Sequence, residues 1–322
     1  MPETPLPAHA PLVEVVRSGF REGVHYGAAV GLTAAGEVGY ARGPVAEPMF
    51  PRSAAKPFQA LACLRAGAEL TGERLAIAAG SHAGSDAHVA TVRGMLAAAG
   101  LTPEALRCPP DWPLDRAARD TVLRAGGGPD RLRMNCSGKH AAMLTACVRQ
   151  GWDTAGYLNP GHPLQTLVRA AVEEKCAEPV AHTAVDGCGA PQLAVSLTGL
   201  ARGLRAMARA DAGSHEAAVL DAMRTHPEFV AGEGLADTLV MRRLPGAVSK
   251  RGAEGVVVIG VPSGETAAVK ISDGDATGRA ATMVALTALA ALGVDVGPVA
   301  ELLSRPVLGG GEPVGVVRPL AG

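Results

Sequence analysis

Ser53 and Lys56 stand three residues apart in the stretch MFPRSAAKPFQ, residues 49–59. On one helical turn such residues share a face, so the Lys56 amine falls within hydrogen-bond reach of the Ser53 hydroxyl. A serine hydroxyl is a weak nucleophile until an adjacent base takes its proton, and a lysine desolvated in an apolar pocket can be that base. The spacing S-x-x-K is short, and roughly one chain in six of this composition would carry it by chance. Lysine usage adds weight: only 5 of the 30 Lys and Arg residues are Lys. Arg stays protonated and cannot act as a general base, whereas buried Lys can lose its proton. Lys56, Lys139, Lys250 and Lys270 all lie among Ser, Gly, Cys or Asp; Lys175 alone has an ordinary helical setting.

Three further polar, glycine-rich stretches could carry chemistry. Ser81 and His82 lie in GSHAGS, Cys136, Lys139 and His140 in NCSGKH, and Asp186 and Cys188 in DGCGAP. Cys63 and Cys147 sit in Ala/Leu-rich helical patterns and read as small core residues. By residue type alone, a soft-metal site would use Cys136, His140 and Cys188 with water. An amino-acid substrate needs one fixed cation and one fixed anion; Arg52 and Asp186 stand where they could supply them, with His82 and His140 as added donors. Each candidate also has a plain structural alternative: Ser81 as a turn serine, Lys270 as an edge-strand lysine that deters aggregation, Arg52 as half of a surface ion pair, Asp186 as a turn residue before Gly187, and the cysteines as unliganded thiols.

The elements that must position these residues follow from pattern. Residues 2–11 carry repeated Pro and predict an irregular arm. Residues 12–16, 27–32 and 36–41 read as strands, and 57–66 as a helix. Because Lys56 precedes Pro57, and residues before Pro are pushed out of the α region, the Ser53–Lys56 turn is expected to be 3₁₀ or strained. Helices are predicted over 86–99 with Asp86 as N-cap, 104–107, 114–124, up to 150, 162–176, 193–210 and 214–225. Residues 255–261 and 266–271 form a hairpin about Pro262-Ser263-Gly264, residues 278–292 a helix, and 307–322 no firm element. Strands, then many helices, then strands and a helix predict one α+β domain over 1–322. In it an antiparallel sheet from the N- and C-terminal strands is covered by the helical middle, residues 57–230.

Composition narrows the partner. Thirty basic and 31 acidic residues give a net charge of -1 with no basic run, which argues against nucleic acid and anionic membranes and for a small-molecule partner. Aromatics at 3% offer few stacking surfaces. The most apolar window, residues 280–292, is interrupted by Gly293 and Asp295 and reads as a buried helix rather than a membrane span. The first residues lack a basic stretch followed by an apolar one, so a cytoplasmic location with reduced cysteines is expected.

The blocks FPRSAAKPFQ, GSHAGSD, NCSGKHAAM, DGCGAPQ, HPEFVAGEG, SKRGAEGV and KISDGDATGRA, in this order across nearly the whole chain, resemble the asparaginase II family, the rhizobial-type thermolabile L-asparaginases. The resemblance implies a serine β-lactamase and penicillin-binding-protein-like fold, L-asparagine as substrate, and a homodimer. It implies two Ser–Lys tandems, Ser53 with Lys56 and Ser81 with Lys270. It further implies zinc held by Cys136, Lys139 and Cys188, aiding substrate binding rather than supplying a nucleophile. Lys250 and Asp273 fall in the matched blocks without an assigned role. Another amide, such as L-glutamine, a small peptide or a β-lactam, or a non-catalytic zinc-binding role, are the competing readings.

Overall fold

The protein is a computed structural model describing residues 7–320, and among the described residues there are eleven strands and eleven α-helices. The strands are β1 (Ala10–Arg17), β2 (Phe20–Leu32), β3 (Val38–Arg42), β4 (Pro48–Met49), β5 (His182–Val185), β6 (Pro191–Ser196), β7 (Val248–Gly252), β8 (Val256–Gly260), β9 (Thr266–Ile271), β10 (Arg305–Gly309) and β11 (Glu312–Pro319). The helices are α1 (Lys56–Arg65), α2 (Gly72–Ala78), α3 (Asp86–Ala98), α4 (Arg116–Arg124), α5 (Ser137–Gln150), α6 (Pro163–Cys176), α7 (Leu197–Ala208), α8 (His215–Thr225), α9 (Pro227–Val230), α10 (Ala236–Arg243) and α11 (Ala281–Ala291).

β1 and β2 pair through the two-residue loop Ser18-Gly19, where both residues have positive φ, 47° and 82°. Such a turn matches the twist of the flanking strands. From this hairpin the main sheet extends in the order β10-β11-β1-β2-β9-β8-β7, with β3 also on β2 and every pairing antiparallel. The N- and C-terminal strands thus share one sheet, as the order of elements predicts. A small second sheet, β4-β6-β5, lies apart.

Side chains alternate between faces along the central strands. Val30, Val256, Val258 and Ala268 join one core with α1, α2, α5, α6 and α7. Ala29, Val257, Ile259, Ala267, Val269 and Ile271 join a second core with α10 and α11. The sheet is therefore covered on both faces, and the helix closing the second face comes from the C-terminal part of the chain.

Four expectations need correction. The expected irregular arm falls outside the described residues for residues 2–6, and β1 already begins at Ala10. The N-cap of α3 is Ser85, not Asp86: its hydroxyl accepts from the His88 N–H while His88 returns a bond to the Ser85 N–H. The helix expected from residue 193 starts at Leu197, because Pro191–Ser196 pairs as β6 and Ser196 caps the helix. The final segment holds β10 and β11: Gly310-Gly311 make the turn, Pro306 lies on the edge strand β10, and Pro313 falls at the register shift beside Leu308, so pairing continues. Among the described residues, no helix is long and apolar enough to cross a membrane.

Candidate active site

A short 3₁₀ turn, Arg52–Ala55, leads into α1 with Pro57 in its first turn, where a missing N–H costs nothing. This is the tight turn that the Lys56-Pro57 step predicts. Lys56 is carried into the interior and is 1% exposed. Its Nζ donates to Gly80 O at 2.5 Å, Ser81 Oγ at 2.9 Å and, more weakly, Asn135 O at 3.4 Å. Gly80 must be glycine here, since a Cβ would lie 2.6 Å from the Phe229 carbonyl oxygen. The loop can then pass close to α9 and present Ser81, whose N–H bonds Val230 O.

Ser81 Oγ receives a second amine. Lys250 on β7, fully buried, donates to it at 3.1 Å and to Arg251 O at 2.6 Å. Lys270 does not reach Ser81: its Nζ is held by Glu254 O and Ile271 O, both at 2.6 Å. The two lysines occupy different strands of one sheet, and β7 packs against the Ser53 turn. Asp237, 1% exposed, fixes β7 from behind by accepting from Ser249 Oγ and the Arg251 N–H. A cleft of about 440 Å³ opens over the group, lined by Ser53, Ser81, Asn135, Lys250, Arg251, Glu254 and Asp273 among others. Lys250 was legible as one of the few lysines in a Ser/Gly setting; Asp237 and Asn135 carry no sequence signal of comparable strength.

Burial sets the protonation of the amines. Desolvation lowers Lys250 to about 7, with Lys56 nearby adding repulsion and Asp237 opposing. Lys56 and Lys270 are lowered too, by desolvation above all. His82 and His140 are held well below the ordinary imidazole range by burial. His82 Nε2 lies 2.9 Å from Ser137 Oγ, whose own proton goes to Leu132 O, so Nε2 is the protonated nitrogen. His140 Nδ1 meets Tyr157 OH at 2.6 Å. The other ring nitrogen of each histidine is buried without a partner among the described residues.

Cys136 and Cys188 come together with Lys139. Lys139 Nζ donates to Cys188 Sγ at 3.0 Å, Cys188 Sγ lies 3.5 Å from Asp186 Oδ2, and Cys136 Sγ lies 3.0 Å from Asn135 Oδ1. A bond from Cys188, then the Lys56 and Lys139 charges, holds Cys136 well below the ordinary thiol range, while Cys188 is raised by that bond and by burial. Lys139 is raised because the sulfurs outweigh its desolvation. Two sulfurs and an amine nitrogen suit a soft cation, provided Lys139 gives up its proton on binding. The alternative trio of Cys136, His140 and Cys188 does not assemble, since no group of three or more His, Cys, Asp and Glu is placed to hold a metal among the described residues.

Arg52 and Asp186 are paired with each other, Nε to Oδ1 at 2.7 Å, and neither lines the cleft. Arg52 has φ of +51°, and Glu254 and Asp275, which do line the cleft, are also left-handed at 59° and 45°. Non-glycine residues in this region gather at functional sites.

Comparison with known proteins comes from sequence and from structure. No curated protein sequence matches the chain. A β-lactamase from Mycobacterium bovis is similar with a TM-score of 0.45 and 16% identity, over 83% of this chain and 94% of that one. Similar too are a β-lactamase-like protein from Bacteroides dorei (TM-score 0.45, 14% identity, 83% and 93% covered) and EstCE1, a hydrolase with promiscuous acyltransferase activity (0.41, 12%, 87% and 92%). The sequence pattern of L-asparaginase II matches residues 13–319, almost the whole described chain. The chain belongs to the L-asparaginase II family.

Proposed function

We propose that the chain hydrolyses L-asparagine to L-aspartate and ammonia through Ser–Lys nucleophilic catalysis. Family membership supports an amidohydrolase. The single observation that carries the Ser–Lys route is the Ser81 hydroxyl held at 2.9 and 3.1 Å by the buried amines of Lys56 and Lys250, with Ser81 and Lys250 lining the same cleft as Ser53. In this reading Ser53 Oγ attacks the side-chain amide carbon and its proton passes to neutral Lys56. Ser81 relays a proton from the Lys56–Lys250 pair to the amide nitrogen, the C–N bond breaks, and ammonia leaves. Water then attacks the ester, the same relay working in reverse, and aspartate departs. Lys270 has no step in this route; Arg251, Glu254 and Asp273 are the charged lining groups available to the α-carboxylate and α-ammonium.

We further propose that Cys136, Lys139 and Cys188 hold zinc. When bound, the metal would supply a fixed positive charge beside the amino-acid substrate. Inductively coupled plasma mass spectrometry of purified protein is expected to find one zinc per chain, lost in Cys136→Ser and Cys188→Ser.

A second reading has its own support: the Lys56 amine bonds Ser81 rather than Ser53, which would make Ser81 the nucleophile. Ammonia release from L-asparagine, with L-glutamine in parallel, tests the activity; intact-protein and peptide mass spectrometry of acid-quenched turnover tests the attacking serine. An aspartyl adduct on the peptide bearing Ser53, with no release by Ser53→Ala, supports the first assignment. An adduct on Ser81 transfers the role, and no release from asparagine rejects the proposed substrate.

A further inference from the structure

We infer that Arg52 and Asp186 form a clamp that holds the Ser53 turn in its reactive conformation, rather than gripping the ends of the substrate. The inference rests on Ser53 being the nucleophile of the proposed reaction. Arg52 immediately precedes Ser53 and has φ of +51°, a region that a residue with a Cβ enters only when its surroundings impose it. Those surroundings are specific. On one side Arg52 Nε bonds Asp186 Oδ1 at 2.7 Å, and its Nη1 lies 3.8 Å from Glu254 Oε1. On the other, the backbone of β7 presses against the turn so closely that a Cβ on Gly252 would lie 2.4 Å from Pro51 O and 3.2 Å from Ala54 N. The turn is wedged between a strand and an ion pair.

The pair is poorly suited to recognise a free amino acid. Its two charges neutralise each other at hydrogen-bond distance, the side chains are 25% and 10% exposed, and neither lines the cleft. Asp186 is also tied to the sulfur–amine group: Cys188 Sγ lies 3.5 Å from Oδ2, and Lys139 Nζ lies 3.0 Å from Cys188 Sγ. A continuous line of contacts therefore runs from Lys139 and Cys188 through Asp186 and Arg52 to the backbone of Ser53. Arg52 is a positioning residue acting through its own peptide geometry.

The test compares Arg52→Ala, Arg52→Gly and Asp186→Asn with wild type in crystal structures and in kcat and KM for ammonia release, on folded protein with unchanged zinc content. Glycine enters positive φ freely, so it separates the backbone role from the side-chain charge. In Arg52→Ala we expect φ at residue 52 to turn negative, Ser53 Oγ to move, and kcat to fall roughly ten- to a hundredfold with KM within about threefold. Arg52→Gly keeps the positive φ and recovers most of the kcat that alanine loses; Asp186→Asn follows Arg52→Ala more mildly. A positive φ and an unmoved Ser53 in Arg52→Ala overturn the clamp. So does a raised KM at unchanged kcat in all three variants, which is the signature of lost substrate recognition. If wild type releases no ammonia, the proposed function falls, and φ at residue 52 with the position of Ser53 decides the clamp on the same two outcomes.

Discussion

Two amines within 2.9 and 3.1 Å of one hydroxyl, Lys56 and Lys250 on Ser81, cannot both be cations at little cost. Burial is the larger influence on each; repulsion from Lys56 helps bring Lys250 to about 7, and repulsion from Lys139 adds to the lowering of Lys56. The neutral fraction of a lysine grows as pH rises through its pKa, so a base built on Lys250 gives a kcat/KM that climbs through pH 7 and levels above about 8. Lys250→Met is expected to lower kcat by roughly 10²- to 10⁴-fold and to abolish that climb. Lys270→Met, whose amine serves the carbonyls of Glu254 and Ile271, should leave kcat within about threefold of wild type. Stopped and continuous ammonia assays on the two variants decide between the strands. A profile unchanged in Lys250→Met but flattened in Lys270→Met would return the role to β9.

At the scale of the element, the site depends on how closely the Ser53 turn, β7 and the N-terminus of α5 can approach one another. Glycine permits that approach at Gly252, against Pro51 O and Ala54 N, and at Gly138, where a Cβ would lie 2.6 Å from Ile77 O. Both clashes are with backbone, which cannot swing aside. Gly252→Ala is therefore expected to cost about 1–3 kcal/mol of stability. It should also displace the turn enough to depress kcat by more than the stability loss explains, measured as kcat on the fraction shown folded by circular dichroism. Gly138→Ala should cost similar stability and also lower kcat, because Ile77 O accepts from the Gly80 N–H, which directly precedes Ser81. The site was partly legible in the sequence for the same physical reasons. A local pair such as Ser53–Lys56 shows in spacing, and rare lysines among Ser and Gly stand out; the family resemblance aligned Ser81 and both cysteines. The choice of Lys250 over Lys270 is a matter of which strand borders the turn. That is a non-local register, invisible in a run such as SKRG that is too short and polar to read as a strand. Asp237 is likewise concealed, a single acid on an amphipathic helix whose burial follows only from packing.

Across the whole molecule, the chain's two ends build one sheet, and helices close both of its faces. The shared sheet followed from the order of strands and helices; the second helical layer, α10 and α11, lies outside the expected covering stretch of residues 57–230, and β10 and β11 were concealed by their Gly and Pro content, which tertiary pairing tolerates. The enclosure explains how Lys250 can stand on an edge strand and yet be fully buried: α10 and the Ser53 turn cover β7. A cation in such a place opposes folding, and the sign and window can be worked out. Unfolded, Lys250 has its ordinary pKa of 10.5; folded, it is lowered to about 7. Between these values the unfolded chain binds a proton that the native chain does not, so this residue makes stability rise with pH across the window. Below about 7 both states hold the proton and the penalty is constant; above 10.5 neither does and it vanishes. Lys250→Met removes the titration, while the bonds lost at Ser81 and Arg251 are lost at every pH. Urea unfolding of wild type and Lys250→Met at pH 7 and pH 9 should therefore show their stability difference shifting in favour of wild type by about 2 kcal/mol at the higher pH. A difference that stays constant would mean that Lys250 does not change protonation on folding, and the neutral amine on which the proposed relay depends would lose its basis.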